Sequence, residues 1–172
     1  SPTPSMNPGD YYLVAMTLIF GATYFALYFF IPFLVGQKPA ALSRRSRYAV
    51  LIIVGSSIAT SFIASIIPDL ALSNRFLHAI GGGFMAMLVC FLASRDSRVS
   101  ISKFQLISIS FLVTTFLGVG NELAEFALQS ITGFPFTDSL TDTWLDLTSN
   151  TVGALIASVS LLPFLKGGDR LR

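Results

Sequence analysis

One histidine and a scattered set of carboxylates, all near or within apolar runs, are the residues here that could do chemistry. His78 is the single histidine. Glu122 and Glu125 stand at i and i+3, and Gln129 follows four residues later, so on a helix the three share a face. Asp142, Asp146 and Asn150 stand at i, i+4 and i+8 and make a second stripe. An imidazole facing carboxylates offers mixed N/O ligands that suit Zn, Mn or Fe without choosing among them. The same groups suit general acid–base chemistry, with Glu122 and Glu125 as the first candidates. Structural roles compete with these. Asp142 also suits capping at a helix start, and Asn150 suits a hydrogen bond between helices. His78 equally suits a plain hydrogen bond to Glu122, Glu125 or Asp146, and the glutamates also suit a wet vestibule.

The elements that must position these residues are membrane helices. Of the 172 residues 53% are hydrophobic and 12% charged, with a mean hydropathy of +0.72. Soluble domains carry about 25% charged residues, so a water-facing surface is excluded. An apolar helix needs about 20 residues to cross the hydrocarbon. Five runs meet that length: residues 11–35, 48–67, 76–94, 104–129 and 142–165. The expected fold is an all-α bundle of five transmembrane helices in a single membrane domain, residues 1–172. Pro32 falls in the last turn of the first run, where a break costs least. Gly81, Gly82 and Gly83 in the third run, and the small residues of the second, permit close helix approach. Trp144, Tyr11 and Tyr12 read as interface anchors. The polar start lacks the basic stretch of a cleavable signal, so the first run is expected to stay as a span. Residue 1 is not Met, which fits a trimmed or processed end. Cys90 is the one cysteine; it reads as a small apolar residue and rules out an intrachain disulfide.

Charge gives an orientation. The loop after the first run, the loop after the third and the tail carry 10 of the 11 Lys and Arg residues. With five spans those segments share one side, and the positive-inside rule makes that side cytoplasmic. The amino terminus is then outside, with Asp69 and Asp138 among the outer acids. His78, Glu122, Glu125, Asp142, Asp146 and Asn150 all enter the membrane from that outer side. Asn150 sits roughly 12 Å below Asp142 at helical rise. A charged residue at this depth costs about 2.5–3.5 kcal/mol. The acids therefore need protons, a cation or a water-filled cleft. Basic side chains are expected to be scarce there, with Arg75 reaching in from a loop, so a divalent metal would satisfy the surplus.

The run Asp146-Leu-Thr-Ser-Asn150-Thr-Val-Gly153 resembles the last-helix Asp-x3-Asn-x2-Gly signature of VanZ-like bacterial membrane proteins. Those proteins also place a His early in one helix and a Glu late in the next, as His78 and Asn121-Glu122-Leu-Ala-Glu125 do here. The likeness covers residues 75–157. The sequence departs from the pattern in lacking a Glu-x2-Gln pair and an Arg shortly before the final Asp. The resemblance implies a cell-envelope setting in the bacterial inner membrane, since that family is associated with low-level teicoplanin resistance.

Several functions are excluded by motif. There is no Gly-x-Ser-x-Gly elbow and no His-Glu-x-x-His zinc helix. A single histidine cannot ligate a bis-His haem, no intramembrane lysine exists for retinal, and no nucleotide or nucleic-acid module is present. The reading that results is an envelope membrane protein with an outward-facing acidic/His site for a divalent metal, its ligands drawn from His78, Glu122, Glu125, Asp146, Asn150 and Asp142. Such a site would bind or hydrolyse a lipid-linked envelope substrate through metal-activated water. The rival expectations are a proton- or ion-coupled transporter, for which a homo-oligomer is expected, and an accessory subunit held by membrane-protein partners. Membrane lipid is a partner in all three.

Overall fold

The computed structural model describes residues 8–34, 44–97, 102–133 and 139–164. The side chains of Asp10, Tyr11 and Tyr12, with Lys38, Arg98, Asp138 and the basic tail from residue 165, lie outside the described residues. Six α-helices follow one another: α1 Pro8–Leu34, α2 Arg44–Ser65, α3 Leu70–Phe76, α4 Met85–Asp96, α5 Lys103–Thr132 and α6 Leu140–Leu161. A π-helical segment, Leu77–Phe84, joins α3 to α4, and a 3-10 turn, Leu162–Phe164, ends α6. The described residues contain no strand. Five segments are long and apolar enough to cross a membrane: Thr17–Leu34, Arg44–Ser65, Leu70–Asp96, Lys103–Thr132 and Leu140–Phe164. The five-helix expectation is thus met.

The local chemistry explains where the helices begin and end. Asp69 caps α3, its side chain accepting from Leu72 N. Ser102 and Gln105 form a reciprocal capping box on α5. That helix stops at Gly133, whose φ of 71° is left-handed and whose N–H donates to the Gln129 carbonyl. The cap of α6 is Ser139, which accepts from Asp142 N. Asp142 is therefore not the cap that its position invited; its carboxylate is engaged elsewhere.

The third span is the central one. It is 56% buried, against 22–28% for the other four. Its α4 portion, Met85 to Ala93, packs against Tyr24, Tyr28 and Ile31 of α1, Ile53 of α2, and Leu106 and Val113 of α5. The outer faces carry exposed Phe33, Leu51, Phe62, Phe116, Phe126 and Val159, the arrangement expected of a lipid-facing surface. Four buried hydroxyls are satisfied within their own helices: Ser57, Ser110, Thr114 and Ser158 each donate to the carbonyl four residues back.

The closest approach is between the π segment and α6. A Cβ added to Gly83 would lie 1.8 Å from the Asn150 carbonyl oxygen, and one added to Gly153 would lie 1.7 Å from that of Ala79. Backbone meets backbone there, and only glycine permits it. The contact fixes the depth of α6 against the third span, and with it the depth of Asp146 and Asn150 against His78.

Candidate functional site

The π segment puts His78 on a widened turn, a geometry that recurs at functional sites. Its glycine carbonyls are caught by α1: the Tyr24 hydroxyl donates to Gly81 O and lies 3.1 Å from Gly82 O. Gly82 and Gly118 then clear space for the Asn150 side chain, since a Cβ at either would fall within 2.9 Å of it. Three helical elements converge on Asn150 for this reason.

The structure brings His78, Glu122 and Asp146 together. Each offers one ligand atom, and the three atoms lie within 4.8 Å of one another. His78 Nε2 is 3.5 Å from Asp146 Oδ1, and His78 Nδ1 is 3.5 Å from Asn150 Nδ2. Asp146 is fully buried and Glu122 only 9% exposed. Neither Glu122 oxygen makes a well-formed hydrogen bond, although the Thr143 and Asn121 side chains lie beside the carboxylate; Asn150 Oδ1 has no partner either. Buried polar atoms are normally partnered, and the Glu122 carboxylate falls short of that rule.

The other expected residues sit around this triad. Arg75 pairs with both Asp142 and Asp146, and the Asn74 amide reaches both Asp146 oxygens at 3.1 and 3.2 Å. Asp142 is thereby turned toward Arg75 rather than His78. Glu125, one turn beyond Glu122, accepts from Asn121 Nδ2 at 2.8 Å and lines a cavity beside the triad. Gln129 lies a further turn out on the same helix.

That cavity has a volume of about 270 Å³. Its polar end is formed by Asn74, His78, Asn121, Glu125 and Asn150, and its apolar wall by Ile19, Phe20, Phe116, Leu117 and Ala124. His78 belongs to both the triad and the cavity, so it joins them.

Asn74 is the residue that sequence reasoning missed as part of the site, and Arg75 was expected to reach in from a loop rather than from a helix. The third span was expected to begin at Phe76, with no basic residue inside a span; the helix begins at Leu70 and carries Arg75 within it. The signal was present. Asn74 and Arg75 stand four and three residues before His78, the same spacing that united the acidic stripes. Tyr24 carried no comparable signal, because its role depends on the packing of α1 against the π segment.

A five-span helical bundle with a buried His/Glu/Asp cluster, the ion-paired Arg75 beside it and a polar-ended cavity defines a small polytopic membrane protein. The chain belongs to the family described as "Predicted membrane protein (DUF2238)", which it matches over residues 6–167. No curated protein and no solved structure matches it.

Proposed function

We propose that this protein binds a divalent cation through His78, Glu122 and Asp146, on the outer side of the bacterial inner membrane. The carrying observation is the His78, Glu122 and Asp146 cluster itself, with the Glu122 carboxylate buried and lacking a well-formed hydrogen bond, within ligand range of an imidazole and a second carboxylate. Arg75 and Asn74 hold Asp146 from one side, the kind of outer support that orients metal-binding carboxylates. Asn150 supports His78. A half-turn of its amide exchanges Oδ1 and Nδ2, gives the unpartnered Oδ1 the Nδ1–H of His78, and frees Nε2 to ligate. The acidic positions of Glu125 and Asp142 add negative charge that favours a cation.

The order of His78, Glu122, Asp146, Asn150 and Gly153 along the chain matches the VanZ-like layout, and Arg75 supplies from a different helix the guanidinium which that layout places before its final Asp. This supports a cell-envelope role. A cation so placed acidifies bound water, and hydrolysis of a lipid-linked envelope substrate is the reaction class such a site serves. The basic segments at the opposite end support an external amino terminus and a cytoplasmic carboxyl terminus.

The test is metal analysis of detergent-purified protein, followed by thermal unfolding of chelator-stripped samples with Zn, Mn or Fe(II) restored. One of the three is expected to raise the melting temperature, and Glu122→Gln and His78→Ala are expected to abolish the rise. A cation at about 100 times its Kd stabilises by about 2.7 kcal/mol. Metal-free protein whose melting temperature ignores all three ions overturns the proposal.

A further inference from the structure

We infer that the cavity beside His78 is a lateral binding site for a single-chain lipid with an uncharged, hydroxyl-bearing head, such as a monoacylglycerol. The inference names the ligand class of the polar site proposed above; it rests on that site binding a ligand but not on the cation. Three observations carry it. First, the cavity opens toward lipid. Its wall residues Ile19 and Phe116 are 58% and 77% exposed on the outer faces of α1 and α5. Among the described residues α1 packs against α2 and α4, and α5 against α4 and α6, while α1 and α5 barely meet. The gap between them gives a ligand a way in from the bilayer.

Second, size limits the occupant. About 270 Å³ lies just below the range of about 300–1,000 Å³ typical of small-molecule sites. It holds a head and the first carbons of one chain, and the rest of the tail stays between α1 and α5 in the lipid. Third, charge selects the head. Glu125 lines the cavity, with Glu122 and Asp146 behind it, and the cation nearest them among the described residues, Arg75, is already paired with Asp142 and Asp146. With the cation removed, a phosphate or carboxylate head meets repulsion in this low-dielectric setting. A hydroxyl donates to carboxylate or amide oxygens and accepts from the Asn amides at the polar end.

The experiment uses the full chain in detergent and a monoacylglycerol carrying a photoreactive diazirine in its acyl chain. A fatty-acid diazirine of equal length serves as the anionic probe, and each is run with and without chelator. The monoacylglycerol is expected to label peptides containing residues 19–24 or 116–125. Gly120 lines the cavity, and a Cβ there meets nothing within 4 Å, so Gly120→Leu is expected to narrow the mouth. It should cut labelling about tenfold, a loss of about 1.4 kcal/mol in binding. Ala124→Phe, one turn on, should do the same. Gly55→Leu on α2, also open, should leave labelling unchanged. Undiminished labelling of both plugged variants, equal labelling by the fatty acid in chelator, or label spread evenly over all helices overturns the inference. Labelling that persists in chelator separates it from the cation: a missing melting shift with intact labelling removes the metal alone, and the converse removes the lipid site alone.

Discussion

Each end of the bundle buries a carboxylate, and the two are provided for differently. At the end of α4, the Asp96 side chain is 1% exposed, accepts from the Tyr28 hydroxyl at 2.9 Å and pairs with Arg95 Nε at 2.8 Å. Its helix is regular and its neighbours Met85 to Ala93 are closely packed. At the other end, Glu122 is buried without a well-formed hydrogen bond, beside a π turn, a cavity and an Asn with an unpartnered oxygen. The first arrangement is complete within the protein and describes a structural lock. The second is incomplete, and proteins relax local rules of this kind mainly where function needs it. Burial of an acid in a membrane bundle is therefore no sign of function; what separates the two ends is whether the protein supplies the partner.

The largest expected effect follows from Asp146. Its removal in Asp146→Ala strips Arg75, Asn74 and His78 of one shared partner. Breaking a buried pair from one side costs about 3–5 kcal/mol. Asp96→Ala leaves the Tyr28 hydroxyl unmatched, while the half-exposed Arg95 turns to water or headgroups, so about 1–3 kcal/mol is expected. Unfolding in mixed detergent–SDS micelles measures both. If Asp96→Ala is the more damaging change, the end with the His78 cluster is not where the burial stress concentrates, and the comparison fails.

Next in size is the backbone contact that sets the depth of the site. Gly153→Ala drives a methyl into the Ala79 carbonyl and should cost about 1–3 kcal/mol by forcing α6 off the π segment. Gly55→Ala, where the new methyl meets nothing, should instead stabilise by about 0.5–1 kcal/mol, because alanine loses less backbone freedom in a helix. The same unfolding assay reads both, and Gly153→Ala should also weaken metal stabilisation by shifting Asp146 and Asn150 from His78. A neutral Gly153→Ala result would mean that the helix contact is not what registers the triad.

Much of this was legible in the sequence. Apolar runs separated by charge gave the five spans, and spacing gave the acidic stripes and their shared end with His78. What spacing could not give was selection among the acids. Glu122 and Glu125 share a face three residues apart, yet one joins His78 and the other lines the cavity, because the face is wide enough to touch two neighbours. Asp142 looked like a cap because it opens α6; Ser139 does that work, and Arg75 takes the carboxylate. Arg75 itself was placed in a loop since Pro68 and Asp69 read as a break, whereas Asp69 caps a helix that starts at once. The π turn left no trace in hydropathy, since it adds a residue to a turn without changing which residues are apolar.

The smallest effect is the most discriminating, because its sign differs between the two ends. In stripped protein, Glu122→Gln replaces a carboxylate without a well-formed hydrogen bond with an amide that is cheaper to bury. Stability should rise by about 1 kcal/mol, as it does when a destabilised functional residue is removed. Asp96→Asn exchanges an acceptor already matched to Tyr28 and Arg95 for a neutral group that can serve only part of that pairing, so stability should fall by about 1 kcal/mol. Restoring the cation should reverse the order at the first end only: wild type gains, Glu122→Gln does not, and Asp96→Asn gains as wild type does. A loss at both positions in stripped protein would show that Glu122 is held by partners after all, and the contrast between a finished end and an open one would go with it.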